Sequence, residues 1–196
     1  MHIDTNRIKF LDTFIDNLTS SEAKLCVDKL IKIPGYHYVV SPNTDIIVKM
    51  HNDSQLKDIC EKADLILTDG QLIVSLSKKY GEAIKERVCM TDFVWDVFDL
   101  AIERNYKVFL FGGKEDVLKK ATQRVRNKLP KLNIVDSYSP PFGFESDSFM
   151  LEEAINRIKQ SKADILIVFL GCPKQEKFIA DNKDKYQVPI SFTMGG

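Results

Sequence analysis

"DILIVFLGCPKQEKF", residues 164–178, decides how the chain is read. Residues 165–170 are apolar without alternation, Gly171 and Pro173 interrupt them, and a charged helical pattern follows at once. A short unbroken apolar run is the mark of a strand buried on both faces, and such strands occupy parallel sheets covered by helices. Gly171 permits an unusual turn. Pro173 suits the first helical position, where its missing N–H goes unused. The stretch therefore predicts strand, turn and helix, with Lys174, Gln175 and Glu176 at the helix start.

Outward from this point the same punctuation recurs. "HYVVS" (37–41), "DLILT" (64–68), "KVFLF" (107–111), "LNIVDSY" (132–138) and "PISFTM" (189–194) read as strands. Helical spacing fills the intervals. A capping box, Thr19-Ser20-Ser21-Glu22, opens a helix that runs to about Ile31. Further helices are predicted over 42–53, 54–62, 71–80, 92–105 (with Thr91 as cap), 114–129, 149–162 and 174–186. "SPPFGFES" (139–146) is too rich in Pro and Gly for anything but a loop. Strands alternating with helices predict an α/β fold, a Rossmann-like α/β/α sandwich with a mainly parallel sheet. We read 1–196 as one domain, with 1–34 as an N-terminal helical extension.

Lys plus Arg number 28, as do Asp plus Glu, so the net charge is zero. That removes any global electrostatic reason to expect a nucleic-acid partner. Cys26, Cys60, Cys89 and Cys172 are far apart and form no CxxC pair. They read as isolated thiols of a reducing, cytoplasmic compartment. Charged residues within 1–10 exclude a secretory apolar segment there, and no apolar run approaches the roughly 20 residues of a membrane span. His2, His37 and His51 have no metal-ligand spacing. GxSxG, HExxH, Walker A and Asp-x-Asp are all missing, so the expectation is no metal and no cofactor.

In doubly wound folds, ligands bind beyond the carboxyl ends of the strands. Four strands end in marked residues, and if all are parallel those residues share one rim. After 64–68 comes Asp69-Gly70, either a turn and helix cap or a general base. After 37–40 come Ser41 and Asn43, either a helix start or ligands for hydroxyl groups. After 107–111 come Gly112, Gly113 and Lys114, a turn that exposes N–H groups and a cation to phosphate but is not GxGxxG. After 165–170 come Gly171, Lys174 and Gln175, a plain strand–helix junction or an anion site at a helix N-terminus, with Gln175 within reach of a sugar. Arg87 offers a fork suited to phosphate or carboxylate. Asp92 falls in a first helical turn, where negative charge is favourable. Phe142 and Phe144 either stack on a base or pack the loop onto the core.

Taken in order, "SPNTD" (41–45), "ADLILTDG" (63–70), "RVCMTD" (87–92), "FLFGGKEDV" (109–117), "PPFGFE" (140–145) and "GCPKQEKFI" (171–179) resemble the WecG/TagA/CpsF glycosyltransferases. The resemblance covers about residues 35–196. It implies an inverting, metal-independent transferase that moves a sugar from a UDP-sugar donor to a polyprenyl-pyrophosphate-linked acceptor in cell-surface polysaccharide synthesis. Such an enzyme works at the inner face of the cell membrane as a cytoplasmic, peripheral protein. The resemblance places the general base on Asp69, the donor-binding hydroxyl and amide on Ser41 and Asn43, and the sugar-side glutamine on Gln175. It also implies self-association. Met90 stands where the family usually has Gly. The chain ends at "SFTMGG", where longer members carry a C-terminal appendage that contributes to the site and to the membrane, so the expectation is donor binding with weak turnover. Two rival readings remain: an NAD(P)-dependent oxidoreductase, opposed by the missing GxGxxG, and a non-catalytic nucleotide-binding domain.

Overall fold

The computed structural model describes residues 5–80 and 83–195. The chain opens with a hairpin, β1 (Arg7–Phe10) and β2 (Thr13–Asp16), and then α1 (Ser20–Lys32). Next come β3 (His37–Val40), α2 (Thr44–Asn52), α3 (Ser54–Glu61), β4 (Leu65–Ile66), α4 (Gln71–Tyr80) and α5 (Met90–Arg104). β5 (Lys107–Gly112), α6 (Glu115–Lys128), β6 (Asn133–Tyr138) and a 3-10 turn (Phe144–Ser146) follow. α7 (Ser148–Ser161), β7 (Ile165–Phe169), α8 (Lys174–Tyr186) and β8 (Ile190–Thr193) complete the order. Strands β3 to β8 form one six-stranded sheet in the order β4-β3-β8-β7-β5-β6, and every neighbouring pair is parallel. This is the expected Rossmann-like sandwich, and it brings all the carboxyl strand ends to one rim.

The apolar runs make this sheet because both its faces are covered. Successive side chains on a strand point to opposite faces. In β7, Ile165 and Ile167 join one core with Val108, Leu110, Ile190 and Phe192, against α1 and α5. Leu166 and Val168 join the other with Phe109, Phe111 and Val40, against α3, α7 and α8. Ile165, Leu166, Ile167 and Val168 have essentially no exposure, and burying each is worth about 1.5–3 kcal/mol. The capping box forms as read: Thr19 accepts from the Glu22 N–H while the Glu22 carboxylate accepts from the Thr19 N–H.

Residues 1–34 depart from a purely helical extension. Beside α1 they contain the β1–β2 hairpin, and α1 belongs to the main core through Ala23, Val27 and Leu30. The hairpin was invisible in the sequence because its strands are four residues long. Its turn also puts Leu11, not Gly or Asn, at φ 54°. Asp16 explains the hairpin's position. Its fully buried carboxylate receives Arg7 Nε at 2.8 Å and Nη2 at 2.9 Å, the Thr5 hydroxyl, and the Ile66 N–H of β4 at 2.6 Å. Arg7 also donates to the carbonyls of Ala63 and Asp64. The carboxylate thus satisfies one N–H on the open edge of β4, whose ladder with β3 spans two residues of the expected 64–68 strand.

Candidate active site

On one side of the rim, β5 ends in two glycines of left-handed backbone. Gly112 has φ +103°, and a Cβ there would lie 2.7 Å from the Phe169 carbonyl oxygen and 2.9 Å from Leu170. No other residue lets β5 leave the sheet so close to β7. Gly113 follows at φ +72°, and its carbonyl accepts the Ser139 hydroxyl at 2.5 Å. That bond draws the loop after β6 over the end of β5. Between this loop, the first turns of α6 and the end of β7 lies a cavity of about 890 Å³. Its walls include Gly112, Gly113, Lys114, Leu118, Pro140 and Phe169, with Glu145 and Lys174 at its margin. The size suits a nucleotide-like ligand, and the mainly apolar lining with a few convergent charges is that of a ligand site.

The loop is held by its own aromatics. Phe144 packs edge-on to Phe111 at 5.7 Å and against Phe178 at 5.8 Å, and Phe111 stacks on Phe178 at 4.8 Å. Phe144 therefore takes the packing role, while Phe142 stands fully exposed at the cavity mouth. Lys174 pairs with Glu145 and lies 5.1 Å from the Phe142 ring centroid, tying the loop to α8. This pairing holds the Glu145 carboxyl below the usual carboxylate range.

The start of α8 differs from an open anion site. Pro173 is the N-cap, one residue earlier than expected, and the Gln175 N–H already donates to the Gly171 carbonyl at 3.0 Å. Gly171 makes the turn at φ +73° and does not line the cavity. Gln175 and Glu176 are buried, at 2% and 1% exposure, not solvated. The Gln175 side chain accepts the Gly195 N–H at 3.0 Å and donates to Glu176 Oε1 at 3.0 Å. Among the described residues Glu176 Oε2 has no hydrogen-bond partner by distance and angle. Burial pushes the Glu176 carboxyl up, partly offset by the Gln175 amide, its own N–H, the Cys172 thiol and Lys49. Cys172 itself is pushed up to about 12 by burial and by Glu176, so it is a poor nucleophile.

On the other side of the rim, Asp69 follows β4. Gly70 supplies the carbonyl that starts α4, accepting Val74 N–H at 3.1 Å. The Asp69 carboxylate lies 3.8 Å from Arg87 and is 27% exposed. Arg87 also reaches Asp92 at 3.3 Å, in the first turn of α5 as expected. The N-cap of α5 is Cys89 rather than Thr91, and it makes no side-chain cap bond; the Thr91 hydroxyl meets the Cys89 thiol at 3.0 Å. Ser41 is buried, with Oγ 3.5 Å from the Val88 carbonyl beside Arg87. Asn43 fills the structural role open to it, capping α2 by accepting the Ile46 N–H at 3.0 Å.

The predicted residues therefore fall into two groups on one rim. Gly112, Gly113, Lys114 and Lys174 share a cavity. Asp69, Arg87 and Ser41 gather after β4 and β3, with Asn43 close by in sequence. Three strand spacings separate the ends of β4 and β7, about 14 Å. Gln175 joins the α8 start to the exit of β8, which lies between them. Sequence reasoning missed Glu145 as the partner of Lys174; a Gly-aromatic-Glu loop opposite a lysine was the available signal. Among the described residues no cluster of three or more His, Cys, Asp and Glu is arranged to hold a metal ion. None of their helices is long and apolar enough to cross a membrane.

The chain has recognisable relatives among known proteins. A model of the Glycosyl transferase WecG/TagA/CpsF family matches residues 8–196. A Bacillus spizizenii protein named N-acetylglucosaminyldiphosphoundecaprenol N-acetyl-beta-D-mannosaminyltransferase is 27% identical over 194 residues, which cover 99% of this chain and 73% of that protein. A Bacillus subtilis protein of the same name is 27% identical over 154 residues, covering 79% of this chain and 58% of that protein.

Proposed function

Since the chain belongs to the WecG/TagA/CpsF glycosyl transferase family, we propose that it transfers an N-acetylmannosaminyl group from a UDP-linked donor to N-acetylglucosaminyl-diphospho-undecaprenol. The observation that carries this reading is the parallel sheet, which puts the cavity after β5 and the carboxylate after β4 on a single rim. The cavity takes the nucleoside. Its base lies against Leu118, Pro140 and Phe169, and Glu145 accepts from ribose hydroxyls. The diphosphate crosses the Gly112–Gly113 turn toward Lys114 and Lys174, and the sugar extends past Gln175 toward Ser41 and Asn43. Asp69 faces the acceptor hydroxyl.

The chemistry is a single displacement. As the acceptor oxygen bonds to the anomeric carbon, Asp69 takes its proton. The bond from that carbon to the UDP oxygen breaks and the configuration inverts. Fixed cations and the helix start of α6 neutralise the departing diphosphate, serving the purpose a metal serves elsewhere. Arg87, between Asp69 and Asp92, holds the base and brings a cation toward the acceptor diphosphate.

The oxidoreductase reading is not favoured: the turn after β5 is Gly-Gly-Lys, and the family match is to transferases. The deciding experiment incubates the protein with UDP-N-acetylmannosamine and the lipid-linked acceptor in EDTA. A β-linked disaccharide on the lipid is expected. An absolute need for added Mg²⁺ or Mn²⁺, or release of free sugar alone, would overturn the proposal.

A further inference from the structure

The mouth of the cavity has a surface of its own. Phe142 projects into solvent from the 140–143 turn, and Val117 of α6, 55% exposed, flanks the same opening. Along α6, Lys114, Val117, Ala121 and Arg124 recur at helical spacing, and all four are exposed. Lys120 adds a further exposed cation. Of the acids nearby, Glu145 is paired with Lys174 and Glu115 lies 3.9 Å from Lys119, which leaves Asp116 against Lys114, Lys120 and Arg124. In a chain of zero net charge this is a local excess of positive charge around an exposed aromatic.

We infer that this lip, α6 together with the 140–143 turn, docks on an anionic lipid bilayer. The partner is argued from charge complementarity: an apolar tip beside Lys114 and Lys174, with further cations along α6, fits a negatively charged, apolar-cored surface. The choice of a bilayer rests on the proposed acceptor, whose diphosphate is anchored at the head-group level by its polyprenol. With the lip on the membrane, the cavity mouth and the rim face the layer in which that diphosphate lies. Phe142 enters the head-group boundary, and Lys120 and Arg124 lie over anionic lipid phosphates.

The test is co-sedimentation of the full chain with vesicles of phosphatidylcholine alone and of phosphatidylcholine mixed with phosphatidylglycerol. Binding to the mixed vesicles only, weakened by salt, is expected. The pair Lys120→Gln and Arg124→Gln should reduce the partition coefficient by about 30-fold. The indole introduced by Phe142→Trp, read as the emission of the variant less that of wild type with its single Trp95, should shift to the blue on mixed vesicles and not on neutral ones. Full exposure of Phe142 makes this change neutral for folding. Equal binding by the double variant, equal binding to neutral vesicles, or an unmoved difference emission from Phe142→Trp would overturn the docking surface, as would capture by a protein partner without vesicle binding. UDP titration of the same samples separates the two ideas. Lost UDP binding with intact vesicle docking strikes only the transferase reading, and the reverse strikes only the lip.

Discussion

The two sides of the rim are built by different means. The β5–β7 side is made of backbone: two left-handed glycines, a close approach of two strands and a loop anchored by stacked aromatics in one of the two sheet cores. The β4 side is made of side chains. Asp69, Arg87 and Asp92 are partly exposed and meet at 3.3 to 3.8 Å, beside a smaller apolar cluster of Ile8, Phe10, Ile15, Ile73, Val74 and Ile84. A shape that must receive a rigid ligand is set by packing, which does not relax. A proton acceptor needs only one carboxylate within reach of its substrate. Damage to the residues that shape the first side should therefore appear as lost affinity, and damage to the rim side chains of the second as lost turnover.

The largest effect expected is at Asp69. Asp69→Asn keeps the size and removes the base, so steady-state transfer should fall by about 10²–10⁴-fold. UDP affinity, measured by calorimetry, should stay within twofold or so of wild type. A variant that transfers normally would break the division between the two sides. So would one that loses UDP binding in parallel with rate.

Next comes the support beneath the Asp69 side. Asp16→Ala strands Arg7 and leaves the buried Ile66 N–H without an acceptor. Removing one partner of a buried ion pair costs about 3–5 kcal/mol. Denaturant unfolding should show that loss. A change under about 1 kcal/mol, the range of exposed pairs, would mean that Arg7 and Asp16 act as a surface pair and that the hairpin does not hold β4.

A smaller loss is expected on the other side. Gly112→Ala meets both left-handed backbone and the Phe169 carbonyl, whereas Gly143→Ala, at φ +79°, meets nothing within 4 Å. Strain at a left-handed site costs about 1–3 kcal/mol. Gly112→Ala should exceed Gly143→Ala in unfolding experiments and should also weaken UDP binding. Equal losses would show that conformation alone, not the close approach to β7, demands a glycine there.

How much of this was legible in sequence follows the same division. The parallel sheet was, because apolar runs punctuated by glycine can be buried only one way. The cavity residues Gly112, Gly113, Lys114 and Lys174 were, because strand ends in such sheets share a rim. The hairpin was not, since Leu11 gives no turn signal and its anchor Asp16 looks like any surface acid until Ile66 is beside it. Nor was the burial of Gln175 and Glu176: adjacent polar residues at a helix start give no sign of it, and the chain after β8 returns at Gly195 to bond the Gln175 side chain. Asn43 and Ser41 follow β3 in the structure as they do in the sequence, and whether they serve the helix or a ligand depends on which hydrogen bonds remain open.

Glu176 gives the smallest and most diagnostic expectation, because it stands between the two sides. Burial raises its carboxyl above the ordinary 4.5, so the fold disfavours its ionised form. Its contribution to stability is therefore complete below the carboxylate range and is lost as pH rises through that range toward the raised folded value. Carboxyls held low by their partners, such as Glu22, Asp28 and Glu145, act in the opposite sense, but they are common to both proteins. Glu176→Gln cannot ionise, and it retains an oxygen to accept from Gln175. The stability of this variant relative to wild type should climb as pH rises through and above the ordinary carboxylate range. A flat difference would mean that Glu176 ionises freely in place, with its charge cancelling the positive end of α8. A rising one would mean that burial holds Glu176 protonated into the pH range where a free carboxyl ionises.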